Sequence, residues 1–135
     1  MLVRYPELMG RERTIRVLFI CHYNRKRSAT AERIFGKDPG LDVRSAGTSS
    51  EAMVQVNERM LDWADIVFVM DDEQAEALRQ SFPAHPASDT AIVLHIEDDY
   101  HFLDPELVQL LRDRATPHLD RLRAGAARSQ SPKPN

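Results

Sequence analysis

The stretch Cys21-His22-Tyr23-Asn24-Arg25-Lys26-Arg27-Ser28 brings a thiol, a guanidinium and a hydroxyl into one short segment of a 135-residue chain. Five residues separate Cys21 from Arg27, and Ser28 follows directly. A chain wrapping a point over that span turns several backbone N–H groups inward, which makes a concavity for an anion. A helix beginning at its end adds the positive end of its dipole. The same donors favour the thiolate of Cys21, the nucleophilic form of cysteine. Arg27 offers a planar fork matched to two phosphoryl oxygens. The Ser28 hydroxyl is placed to donate to the sulfur, and Asn24 to hold the loop through backbone hydrogen bonds. His22, Tyr23, Asn24, Arg25 and Lys26 supply the other amides. The chemistry suggested is attack by sulfur on a phosphorus that Arg27 holds.

Each part has an ordinary explanation when taken alone. A lone cysteine is usually a small buried hydrophobe. A basic triplet such as Arg25-Lys26-Arg27 is usually a solvated patch, and sometimes a nucleic-acid contact. The context gives the segment its weight. The apolar run Val17-Leu18-Phe19-Ile20 precedes it, and Ala31, Ile34 and Phe35 follow at helical spacing.

The elements that must position this loop follow from the same patterning. Ile15 to Ile20 reads as a buried strand and Ser28 to Lys37 as a helix, broken by Asp38-Pro39-Gly40. Leu41 to Ser45 forms a short strand ending at Gly47. Met53, Val56, Met60 and Trp63 fall on one helical face, and Met53, Met60, Met70 and Trp63 read as core. Asp65 to Met70 is another buried strand, and Asp71-Asp72-Glu73 places acids at the start of the next helix. Ala91 to Ile96 is a fourth strand. Asp104-Pro105 starts a final helix as N-cap and N1, and Pro117 is expected to kink or restart it. Residues 1–13 read as an N-terminal arm, 14–123 as the folded domain and 124–135 as a flexible tail. The alternation predicts a three-layer, doubly wound α/β fold: a four-stranded parallel sheet with helices on both faces. Ligands of such sheets bind beyond the carboxyl ends of the strands, where Cys21 stands.

Composition bounds the function. The formal charge of −3 gives no overall drive toward nucleic acid or anionic membrane. One cysteine permits neither an internal disulfide nor a multi-cysteine metal site. His22, His85, His95, His101 and His118 show no metal-ligand spacing, so neither metal nor cofactor is expected. No apolar run approaches the ~20 residues of a membrane helix. The N-terminus lacks the layout of a secretory signal, and a cytoplasmic location is expected.

The chain resembles the low-molecular-weight protein-tyrosine-phosphatase family, and most closely a compact bacterial branch of it. The resemblance rests on Cys21 through Arg27-Ser28 followed by Ala31-Glu32, on Ser45-Ala46-Gly47-Thr48, on Val69-Met70-Asp71, and on Ile96-Glu97-Asp98-Asp99-Tyr100. It implies hydrolysis of phosphomonoesters, phosphotyrosine or other aryl phosphates, through a phosphocysteine intermediate. Cys21 is then nucleophile, Arg27 holds the phosphoryl group, and Asp98 serves as general acid and then base. Asp99, which stands where the family has proline, is its rival. Asp104 is better explained as an N-cap. The partner implied is a phosphorylated protein or a small phosphate ester; oligomeric state is left open. The sequence departs from the family where Tyr23 replaces a glycine and Lys26 replaces a second cysteine. The segment between Thr48 and Asp65 is also shorter than in larger members. Tyr23 and Tyr100 are candidates to flank the site mouth. Two other readings are a non-catalytic phosphate or phosphoprotein-binding module and an arsenate reductase using an external thiol. A single cysteine rules out an internal disulfide relay for the latter.

Overall fold

The structure, a computed structural model, describes residues 14–130, with side chains through 125. The proposed arm and residues 131–135 lie outside the described residues. The chain runs β1 (Ile15–Cys21), α1 (Arg27–Phe35), β2 (Leu41–Gly47), α2 (Glu58–Trp63), β3 (Ile66–Val69), α3 (Asp72–Ser81), α4 (Ala87–Thr90), β4 (Ile92–Val93) and α5 (Pro105–Gln130). The four strands form one parallel sheet in the order β2-β1-β3-β4.

Alternation along β1 divides the core into two halves. Val17, Phe19 and Cys21 face a cluster that includes Ala31 and Phe35 of α1 and Leu107, Leu111, Ala115 and Leu119 of α5. Leu18 and Ile20 face the other cluster, with Leu61 of α2, Ala75 and Leu78 of α3, and Ala87 of α4. Phe19 is stacked between Phe35 and Phe68, with ring centroids 5.4 and 5.1 Å away. The expected three-layer architecture is therefore present. Because the last residue of β1 is still buried, at 3% exposure, the nucleophile candidate is part of the core as well as of the loop.

Four local expectations differ from the structure. The fourth strand spans only Ile92–Val93, because Leu94 and Ile96 leave the ladder while remaining buried. Their amides instead reach the carbonyls of Val69 and Met70, at 2.9 and 2.8 Å. Met53 is not core: it is 70% exposed and precedes α2, in a turn whose Gly47–Gln55 bridge interrupts the helical period. The α5 helix continues across Pro117 and through Gln130, past position 124. The Ala, Arg and Gln residues of that stretch are good helix formers. Tyr100 is half-buried, packs against the core and donates to Glu106 at 2.9 Å.

The end of the α1 segment is tied to α5 by an ion pair between Asp38 and Arg123. Asp38 also accepts the Gly40 amide at 2.8 Å. Arg123 and that amide hold the Asp38 carboxyl below its usual range. A carboxyl lowered on folding stabilises above its unfolded value of ~3.9 and loses that contribution as pH falls through the folded value. We expect Asp38→Asn to lower stability by less than about 1 kcal/mol at neutral pH. Thermal melts should show the gap from wild type closing as pH drops from ~5 toward 3; a gap unchanged with pH would show that the charge does not contribute.

Candidate active site

The loop from Cys21 to Arg27 turns its carbonyls outward, where the segment after β2 takes them. The amides of Thr48, Ser49 and Met53 donate to the carbonyls of Cys21, His22 and Tyr23, each at 3.0 Å. The Asn24 amide turns the other way, to the Cys21 sulfur. Asn24 makes the reversal with φ of 58°, the left-handed conformation that asparagine tolerates better than most residues. The following helix starts at Lys26 with no capping side chain and no acid in its first turn, so the orphan N–H groups of α1 remain open to an anion.

The Cys21 sulfur lies at the base of this cradle. It accepts the Asn24 amide at 3.2 Å and lies 3.0 Å from the Ser28 hydroxyl. Asn24 Nδ2 donates to Ser28 Oγ at 2.9 Å and to Ser45 Oγ at 2.8 Å, and Ser45 donates to Glu32. With its oxygen accepting from Asn24, Ser28 has its hydrogen available to the sulfur or to the Ala46 carbonyl. The carbonyl of Ala46 is the weaker alternative at 3.3 Å.

Arg27 is 3% exposed. Its Nη1 donates to Asp71 at 2.9 Å and to the Ile96 carbonyl at 2.8 Å. Its Nε is buried without a hydrogen-bond partner among the described residues, with Asp98 Oδ1 3.6 Å away. Cys21, Tyr23, Arg25, Lys26, Arg27 and Asp98 together line a pocket of about 240 Å³. The segment carrying Asp98 is anchored from α5: Arg114 Nη1 donates to the carbonyls of Leu94 and His95, and His95 holds φ of 57°. Among the described residues, no group of three or more His, Cys, Asp or Glu is arranged to hold a metal ion.

No protein-family model matches this sequence, and no curated protein sequence matches it. Solved structures do. The YwlE arginine phosphatase from Geobacillus stearothermophilus is 25% identical, with a TM-score of 0.57 over 86% of this chain and 95% of that one. The tyrosine phosphatase Wzb from Escherichia coli K30, in complex with phosphate, is 19% identical, with a TM-score of 0.67 over 84% and 96%. Vibrio vulnificus Wzb in complex with benzylphosphonate is 22% identical, with a TM-score of 0.64 over 79% and 98%. This chain has the low-molecular-weight phosphatase fold.

Within that fold the residues singled out by sequence separate into three groups. Tyr23, Arg25, Lys26 and Arg27 line the pocket, as does Asp98. Asn24 and Ser28 are buried beneath it and act on the sulfur. His22 does not line the pocket; its Nδ1 lies 3.5 Å from Thr48 Oγ1 and its ring is edge-on to Tyr23. Asp99 and Tyr100 do not line the pocket. Ser45 and Glu32, quoted only as parts of motifs, close the hydrogen-bond chain behind the cysteine. Asp71, read as a helix-start acid, is the α3 N-cap and also an Arg27 partner. Arg114 had no sequence signal beyond an arginine on a helix.

Gly47 is where β2 touches the loop. A Cβ there would stand 2.5 Å from the His22 carbonyl oxygen, 2.7 Å from Ala52 Cβ and 3.0 Å from the Asn24 nitrogen. Backbone on two sides leaves little room to yield, so Gly47→Ala should cost about 1–3 kcal/mol as an overpacked site. It should also weaken inorganic phosphate binding, measured by isothermal titration. Wild-type melting and phosphate affinity in the variant would show that the loop does not rest on Gly47.

Proposed function

We propose that this protein hydrolyses phosphomonoesters, aryl phosphates in particular, through a phosphocysteine intermediate. The observation that carries the reading is the Cys21 sulfur, held at 3.2 Å by the Asn24 amide and 3.0 Å from Ser28, at the base of a pocket shared with Arg27 and Asp98. Binding alone needs the cradle and the guanidinium; it does not need a nucleophile. The likeness to tyrosine and arginine phosphatases supports the same class of reaction.

In the first step the thiolate attacks phosphorus. The S–P bond forms as the P–O bond to the leaving group breaks, and the leaving oxygen takes a proton from Asp98. The loop amides and Arg27 bind the three equatorial oxygens and stabilise charge in the transition state. In the second step Asp98, now a carboxylate, takes a proton from water as that water attacks phosphorus. Phosphate leaves and the Cys21 thiolate returns. Asp98 is preferred over Asp99 because it lines the pocket beside Arg27. Tyr23, 41% exposed at the mouth, offers a ring against which an aryl group packs. A reducing compartment suits a lone catalytic thiol, which supports a cytoplasmic location.

Purified reduced protein should turn over 4-nitrophenyl phosphate in excess chelator, and Cys21→Ser should abolish it. Asp98→Asn should lower kcat by about 10²–10⁴-fold, the usual range for a lost general acid, and Asp99→Asn by far less. The reverse order would move the acid to Asp99. Phosphate binding without any turnover by the wild type would overturn the enzyme reading and favour a phosphate-binding module.

A further inference from the structure

The pocket mouth carries two cations that the catalytic reading does not use. Arg25 and Lys26 are exposed and line the pocket on its loop side. Arg27, by contrast, is paired with Asp71 and Asp98. Among the described residues, no carboxylate lies within ion-pair distance of Arg25 or Lys26. In a chain with 21 acidic and 18 basic residues, two adjacent unpaired cations are a local reversal of the overall charge. The Arg25 guanidinium is also placed over the Tyr23 ring, 5.6 Å from its centroid, a cation–π contact that keeps it at the rim.

A phosphate seated on the loop amides and Arg27 has its charge met from below. The Arg25 and Lys26 charges are then available to whatever extends from the phosphorylated group. Among the described residues the acid that lines the pocket is Asp98, which comes from another segment and lies 3.6 Å from Arg27 Nε. Met53 and Val54 are both exposed, and the Met53 amide donates to the Tyr23 carbonyl. The rim therefore combines an aromatic face with two free cations.

Resting on the phosphatase reading, we infer that the site selects aryl phosphates carrying a second anionic group close to the phosphorylated ring. In a protein substrate that is a phosphotyrosine flanked by Asp or Glu; in a small substrate it is a carboxylated aryl phosphate. Cationic rims focus anionic substrates and raise capture rates by 10–10³-fold, an effect that ionic strength erodes.

The test compares kcat/KM for two phosphotyrosine peptides of equal length, one flanked by Glu and one by Gln. Phenyl phosphate against 3-carboxyphenyl phosphate forms a second pair, and 4-nitrophenyl phosphate is the common reference. Each ratio within one protein cancels losses shared by both substrates, so a variant slower overall remains interpretable. Wild type should prefer the Glu peptide by about tenfold or more at ~10 mM salt, with the preference shrinking as the Debye length falls from ~30 to ~10 Å near 0.1 M. The double change Arg25→Gln, Lys26→Gln should bring the ratio to about one, while Arg25→Lys, Lys26→Arg should retain it. A preference in the peptide pair alone assigns a protein substrate, and one in the carboxyphenyl pair as well assigns the shared chemistry. Turnover with ratios near one in both pairs overturns the inference and leaves the phosphatase reading standing. No turnover of any substrate overturns the phosphatase reading, and this inference with it.

Discussion

A guanidinium with 3% exposure is the constraint around which the carboxyl end of the sheet is arranged. An ion removed from water needs partners in good geometry, and deleting one from a buried pair costs about 3–5 kcal/mol. Arg27 finds them on two other elements: Asp71 directly after β3, and the carbonyl of Ile96 beyond β4. The sheet order β2-β1-β3-β4 brings those chain ends to the side of β1 where Arg27 begins its helix. Asp71 is fixed in turn, because its other oxygen caps α3 by accepting the Glu73 amide at 3.0 Å. Fold and site share this atom set, so the pocket arginine is placed by contacts that also join the ends of β1, β3 and β4.

The opposite flank of β1 does the corresponding work for the sulfur. Glu32, Ser45, Asn24 and Ser28 form a chain in which each donor has its acceptor, beginning at an exposed carboxylate and ending at a buried thiol. A fully connected polar network of this kind orders its members, whereas a broken one leaves buried groups unsatisfied. Arginine and cysteine are thus secured from different strands, β3 and β4 on one side and β2 on the other.

Much of this was legible in the residues. The run Val17 to Ile20, buried on both faces, and the Cys21–Ser28 loop after it are local patterns, and local patterns survive folding. The Met53-Val56-Met60-Trp63 spacing holds for Met60 and Trp63 on α2 but misleads at Met53 and Val56, which precede it, because a period of three or four also arises across a turn. There the amides of Ala52, Met53 and Val56 go to Ser49, Tyr23 and Gly47 instead of up a helix. Glu32 and Ser45, 13 positions apart, and Arg27 and Asp71, 44 apart, meet only through the crossovers. Nothing in their neighbours announces those pairings. Arg114 reaching the carbonyls of Leu94 and His95 belongs to the same class of long-range contact.

The single cysteine of the sequence has a practical consequence. Every thiol signal from this molecule comes from the floor of one pocket. Alkylation stoichiometry therefore counts open cradles directly, without separating active-site label from background. A probe attached there reports on Arg27 and the segment around Asp98, the groups that share its pocket. Most proteins must have their other cysteines removed to become so cleanly addressable; in this one the pocket cysteine is the one thiol of the sequence.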